Sequence, residues 1–348
     1  MSIFEHVAGA STGLLDRRQL LAEGFSEDEI RSARAAGTLV RLYRGVYALG
    51  LQIPGARRPL EVLRIIGVAA RSPSMVVSHT SAAVLHDLPL WLADPTVVHL
   101  TREPGGGSAR TPGRVVDATR VESDEIVMVN GILVTSPART LVDLCRGSAF
   151  EPAVMACDYV LHHRLASPLD LATALDRARH RPGNAAARRA IAFADGRSES
   201  PGESRTRVLI HGLGLPAPQL QIEVSDRFGN AVGRTDLGYV EDSALIEFDG
   251  KVKYGRLLQP GEDPSDVVVR EKEREDAIRA VGTSVMRIVW SELNRPLMLE
   301  RRIELTRLQG RALRDAGATS GRLRARRPIR VEPAPSSPAG DANPTNTR

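Results

Sequence analysis

The stretch from Ser200 to Lys253 constrains the fold most, because a helix start and three alternating runs follow one another there with only short breaks. Pro201 and Gly202 precede apolar residues at helical spacing, Val208, Leu209 and Leu213, which puts Glu203 in the first turn of a short helix. Leu220 to Val224 alternates, Asp226 to Asn230 is turn-like, and Val232 to Tyr239 resumes, so Gln219 to Tyr239 reads as a hairpin with Asp236 on its second arm. Ala244 to Lys251 reads as a third strand. Side chains alternate faces along it, so Glu247, Asp249 and Lys251 share one side while Ile246 and Phe248 take the other.

Two acids at i and i+2 beside a third on the neighbouring strand repel one another unless a counter-charge is supplied. A divalent cation supplies one: Mg²⁺ takes a few carboxylates, waters and phosphate oxygens, which makes Glu203, Asp236 and Glu247 candidate ligands, with Asp249 beside them. Such an ion polarises a phosphodiester and lowers the pKa of a bound water. The chain has 47 Lys and Arg, yet lysine occurs only at Lys251, Lys253 and Lys272. Lysine is a compact charge whose pKa shifts readily, whereas arginine stays protonated, so Lys251 and Lys253 beside these acids are either catalytic or a chance placement on an exposed turn.

These residues resemble the restriction-endonuclease-like (PD-(D/E)XK) fold, in its very-short-patch-repair branch, over about residues 197–295. The resemblance rests on Glu203 on a leading helix, Asp236, the Glu247-Phe248-Asp249-Gly250 strand and the closing run Ser284 to Trp290. It implies a metal-dependent nuclease core in an α/β/α sandwich, with Asp236, Glu247, Asp249, Lys251 and Lys253 in the catalytic set. Two departures bear on activity: Asp249 stands where the superfamily has lysine, and Lys253 stands near the branch's histidine. A fold can outlive its chemistry.

Residues 14–49 read as a helix-turn-helix with a wing. Asp16 caps a helix through Ala22, Gly24 turns the chain, Ser26-Glu27-Asp28-Glu29 is a capping box, and Gly37 closes the second helix. Ile30 and Ala33 face inward while Arg31 and Arg34 face out, and the strand-like runs beyond add Arg41 and Arg44. That pattern suits a recognition helix in the major groove with wing arginines on phosphates, and it equally suits the charged outer face of a small helix that opens on three acids.

The runs Gly13 to Leu21 and Leu39 to Ala48, with Arg44-Gly45-Val46-Tyr47 at the wing, resemble the winged-helix N-terminal domain of AbiEi-type antitoxins. The resemblance implies a transcriptional autoregulator of a toxin-antitoxin operon, with double-stranded DNA and a cognate toxin as partners. Winged-helix operators are often symmetric, so a homodimer is also expected.

Elsewhere the chain is less specific. Pro59 to Ala70 and Ser78 to His86 have helical spacing, Thr96 to Leu100 is strand-like, and Asn130-Gly131 between two apolar runs is a two-residue hairpin signal. His79 and His86 have no nucleophile or third ligand spaced to join them and read as capping or core residues. Gly105-Gly106-Gly107 lacks the Lys-Ser/Thr of a phosphate loop. Thr135 to Leu144 opens a helix that resembles the AbiEi-like middle region. Cys145 and Cys157 form no zinc pattern and read as buried apolar residues of a reduced, cytoplasmic protein. On the charged helix 266–281, Arg270 and Lys272 either meet a DNA phosphate or pair with the interleaved glutamates. Net charge is +5, but from residue 296 onward eleven arginines face five acids, so basicity marks the C-terminal part and not the whole chain. No apolar run is long enough to span a membrane.

The expected organisation is an α+β multidomain chain. A winged helix-turn-helix occupies 1–52, an α+β middle region 57–148, a small helical connector 149–196 and the endonuclease-like unit 197–295. A helix over 296–320 and a disordered basic tail over 321–348 complete it. Three functions compete: a DNA-binding regulator, a Mg²⁺-dependent endonuclease aimed by the winged helix, and a non-catalytic interaction protein.

Overall fold

A computed structural model describes residues 14–49, 57–89, 96–250 and 264–331. These form a mixed α+β protein with eleven α-helices and three separate sheets among the described residues.

The first sheet is small and antiparallel, in the order β1 (Leu14–Asp16), β3 (Val46–Leu49), β2 (Leu39–Tyr43). Between β1 and β2 lie α1 (Arg17–Ala22) and α2 (Glu27–Ala35). The local signals act as written: Asp16 Oδ1 accepts from Arg18 N at 2.7 Å, and Ser26 and Glu29 close a reciprocal capping box. Leu15, Leu20, Phe25, Ile30, Leu39 and Tyr47 make one small core. The other side of this sheet, Leu42, Val46 and Ala48, packs on Leu60 and Leu63 of α3 (Arg57–Ala70), and an Arg71–Asp16 ion pair at 2.5 Å fastens the join.

The middle sheet has the order β6-β7-β5-β4-β9-β8. Its strands are β4 (Val76–Val77), β5 (Val98–Arg102), β6 (Ala109–Thr111), β7 (Arg114–Ala118), β8 (Ile126–Val129) and β9 (Ile132–Thr135), with α4 (His79–Leu85) between β4 and β5. The β8–β9 turn places Asn130 and Gly131 at φ +50° and +76°, the pair of left-handed positions that a two-residue hairpin needs.

Four helices follow: α5 (Pro137–Gly147), α6 (Phe150–His162), α7 (Pro168–Arg177) and α8 (Asn184–Phe193). Leu141, Val142, Cys145, Val154, Cys157, Val160, Leu171 and Ile191 share one core, so the stretch expected to be a connector over 149–196 is instead packed continuously onto α5. Alternating small and large residues let these helices approach, and area buried between them outweighs the low hydrophobicity of the Ala/Arg-rich sequence.

The last sheet has the order β13-β12-β11-β10-β14. After α9 (Pro201–Gly212) come β10 (Gln219–Ser225), β11 (Ala231–Tyr239) and β12 (Ala244–Asp249); α10 (Pro264–Ala280) then leads to β13 (Ser284–Val289), which lies parallel to β12. Ile246 and Phe248 of β12 pack with Ile210 of α9 and with Leu299 and Ile303 of α11 (Pro296–Asp315), while Leu245 packs with Ile278 of α10. Consecutive residues face opposite ways, so helices cover both faces.

The tail departs from expectation. Residues expected to be disordered from 321 include β14 (Arg322–Ala325), which pairs antiparallel with β10. Beyond it Gly196 N donates to Ile329 O at 2.8 Å, and Arg330 and Arg326 pair with Asp195 and Glu223. Composition counts apolar side chains and misses backbone pairing at a sheet edge, which is what orders this segment. Residues 332–348 lie outside the described range.

Candidate functional site

Two places gather the residues singled out by sequence. On the N-terminal unit, Arg31 and Arg34 stand on α2 and Arg41 on β2, and Arg44 with Gly45 forms the turn to β3; all four arginines are exposed. Arg31 pairs with Asp28 at 2.7 Å, with both side chains largely in water, so the pair is weak and easily exchanged. Arg34, Arg41 and Arg44 form no ion pair with another described residue. Ile30 is buried beneath them, with Ala33 packed partly against the same core, which fixes which face of α2 looks outward.

On the last sheet, β11 and β12 pair Leu237 with Ile246, so Asp236 and Glu247 stand one step further along the same ladder; Glu247 in turn faces Arg287 across β12–β13. Asp236 Oδ2 accepts from Phe248 N at 2.7 Å. Glu203 starts α9 beneath the N-cap Ser200, is 3% exposed, and accepts from Ser200 Oγ at 2.7 Å, Glu199 N at 2.9 Å and Gln221 Nε2 at 3.1 Å. Burial, then the charge of Asp236, pushes its pKa up to about 7. Burial raises the Glu247 pKa too, against the pull of Arg274.

Two arginines lie against these acids. Arg274 Nη2 donates to Glu247 Oε1 at 2.7 Å, and Arg287 reaches Glu247 at 3.5 Å, Asp249 at 3.9 Å and Glu275 of α10 at 2.8 Å. Glu203, Asp236 and Glu247 are coupled electrostatically, but they are not among the ligand trios closing within 4.8 Å, of which the described residues hold one, elsewhere. Lys251 and Lys253 lie outside the described residues. On α10, Arg270 and Lys272 are exposed, and Arg279 pairs with Glu275 at 2.6 Å.

That other trio is His79, His99 and Asp117, on α4, β5 and β7. Spacing could not reveal it, because three separate elements supply one residue each. His86, by contrast, bonds the Thr135 carbonyl at 2.7 Å and serves the core. Cys145 and Cys157 are fully buried side by side, Sγ to Sγ 3.5 Å.

Comparison with known proteins bears most on the N-terminal unit. Residues 3–50 match the model of a family described as "Transcriptional regulator, AbiEi antitoxin". Over 259 residues the chain is 28% identical to two uncharacterized proteins of Mycobacterium tuberculosis, MT2308 of strain CDC 1551 and Rv2248 of strain H37Rv, covering 74% of this chain and 88% of each relative. Among solved structures it is similar to the RV2827C protein of Mycobacterium tuberculosis, at 14% identity and TM-score 0.37, over 59% of this chain and 78% of that one. No described helix is long and apolar enough to cross a membrane.

Proposed function

We propose that the chain is a DNA-binding transcriptional regulator of the antitoxin kind, whose N-terminal unit is a winged helix-turn-helix with α2 as the recognition helix. The observation that carries this reading is the exposure of Arg31, Arg34, Arg41 and Arg44 on an ordered helix–turn–helix–hairpin unit inside the segment matching the AbiEi antitoxin family. Arg31 and Arg34 enter the major groove and read base edges; Arg41 and Arg44 sit on flanking phosphates and fix the register. A cognate toxin is the protein partner, and a homodimer presents two such units to a symmetric operator.

The test is binding to DNA taken from upstream of the chain's own coding region. Wild-type protein should hold it more tightly than an unrelated duplex of equal length, and the Arg31→Ala/Arg34→Ala variant should lose that preference. Equal preference in both proteins rules out α2 as the reader.

One observation favours a second reading, a Mg²⁺-dependent DNA endonuclease centred on Glu203, Asp236 and Glu247 in a restriction-endonuclease-like unit. Burial, then the charge of Asp236, pushes the Glu203 pKa up to about 7, and such perturbed acids gather at functional sites. In this reading Glu203, Asp236 and Glu247 would hold a Mg²⁺ ion, which would supply the Lewis acid for phosphodiester hydrolysis, and Glu247 would exchange its contact with Arg274 for that role. Supercoiled DNA with Mg²⁺ or Mn²⁺ decides it: cutting abolished by Asp236→Ala and Glu247→Ala supports the centre, and no cutting by the wild type leaves the regulator reading to stand alone.

A further inference from the structure

The trio on the middle sheet is independent of both readings. His99 lies on β5 and Asp117 on β7, parallel strands whose ladder pairs His99 with Val115 and Thr101 with Asp117. Val98, Leu100 and Val116 between them are buried in the core, so His99 and Asp117 project from the opposite side of the sheet. The start of α4 is docked onto the same side. Ser78 N donates to His99 O at 3.0 Å, His99 N donates to Ser81 Oγ at 2.9 Å, and Thr101 Oγ1 donates to Ser78 Oγ at 2.8 Å. This anchoring brings His79 Nδ1 to 3.8 Å from Asp117 Oδ2 and sets the two imidazole centroids 5.6 Å apart. One ligand atom from each residue then falls within 4.8 Å of the others.

Two further observations point to a ligand. His99 Nδ1 is buried with no hydrogen-bond partner, although a polar atom withdrawn from water normally has one. His79 holds φ +49°, a left-handed conformation that residues other than glycine adopt where the surroundings over-determine it, commonly at ligand clamps. A plain contact between His79 and Asp117 leaves His99 Nδ1 orphaned. All three side chains are partly exposed, which leaves an entry path.

We propose that His79, His99 and Asp117 bind a Zn²⁺ ion. Two imidazole nitrogens and one carboxylate oxygen suit zinc better than Mg²⁺ or Ca²⁺, which prefer all-oxygen shells. Tetrahedral coordination with bonds of about 2.0–2.2 Å places ligand atoms about 3.3 Å apart, a closure that side-chain rotation supplies from the present spacing. Three protein ligands leave the fourth position to water or to an incoming group. The ion clamps the start of α4 to β5 and β7.

The experiment uses the full chain, stripped of metal and titrated with Zn²⁺ against a chromophoric chelator. One equivalent is expected to bind per chain and to raise the midpoint of thermal unfolding. Asp117→Asn and His99→Gln should each weaken binding at least tenfold, since altering even the outer partners of a metal ligand costs about 10–100-fold. His162→Ala/His163→Ala, at the end of α6, should leave affinity unchanged; loss of the equivalent in that variant would place the ion there and overturn the proposal. Unchanged affinity in the Asp117 and His99 variants, or no stoichiometric binding to the wild type, also overturns it. X-ray absorption of the zinc-loaded wild type gives an answer that does not depend on how the variants fold: scattering from two imidazoles is expected, and a shell without imidazole refutes the site.

Discussion

Arg274 of α10 donates from Nη2 to Oε1 of Glu247 on β12 across 2.7 Å, placing a guanidinium on a carboxylate whose side chain is 9% exposed. Twenty-seven residues separate the two in sequence. The contact couples the crossover helix to β12, the strand next to the β13 edge of the sheet.

Removing the guanidinium leaves the acid with Arg287 at the longer distance of 3.5 Å. Arg274→Ala should therefore lower stability by about 2 kcal/mol, the scale of a charge-assisted hydrogen bond lost at a partly buried site. Arg274→Ala/Glu247→Gln should recover part of the loss. Urea denaturation of the four proteins of this cycle gives the coupling, and a coupling near zero would show that the pair contributes nothing.

Glu203 sets a pH dependence with a definite sign. Its folded pKa is about 7, against 4.5 for an unperturbed glutamate, so between those values the native state keeps a proton that the unfolded chain has released. Stability from this group falls as pH rises through that window, by about 3 kcal/mol in total, and the loss is complete above the folded value. Urea midpoints of wild type and Glu203→Gln between pH 5 and 8 should converge at low pH and separate at high pH, with the wild type the less stable. Parallel curves would remove Glu203 as the source. Glu247 shifts in the same direction and leaves a residual slope.

On the DNA-binding reading proposed above, Arg41 and Arg44 should act differently from Arg31 and Arg34 on α2. Arg41→Ala and Arg44→Ala should weaken binding about equally for all DNA sequences and each reduce the slope of log affinity against log salt by about 1. Fluorescence anisotropy across a salt series reads both quantities. A change in sequence preference without a change in slope would move Arg41 and Arg44 from the phosphates to the base edges.

Arg139 of α5 has a side chain 1% exposed, held by Asp143 at 2.7 Å and Glu125 at 2.9 Å. Arg139→Leu strands two buried acids, although Asp143 keeps Arg146 at 2.9 Å. A cost of about 3–5 kcal/mol is expected from breaking a buried ion network on one side. Thermal unfolding should show it, and a shift of less than 2 °C would mean that water already enters the site.

Much of the secondary structure was legible because its signals span only a few residues. Ser26 with Glu29, Asn130 with Gly131, and Pro201 ahead of Glu203 each join partners at most three positions apart, and each forms as the spacing predicts. The acidic row was legible in part, since strand alternation put Glu247 and Asp249 on one face. Its neutralisation was not, because Arg274 and Arg287 reach Glu247 from 27 and 40 residues away. His79 looked solitary for the same reason, and the tail looked structureless because its order comes from pairing with β10.

The sequence by itself determined which segments become helices and hairpins, where they cap and turn, and which arginines of the N-terminal unit face water, since propensity, capping and periodicity act within a few residues. The tertiary structure alone decided that an arginine answers Glu247, that His99 and Asp117 meet His79, and that the helices after Gly147 share the core of α5. Those outcomes depend on strand register and on how crossovers return the chain. Both follow from burying apolar area over the whole molecule, and no short stretch records them.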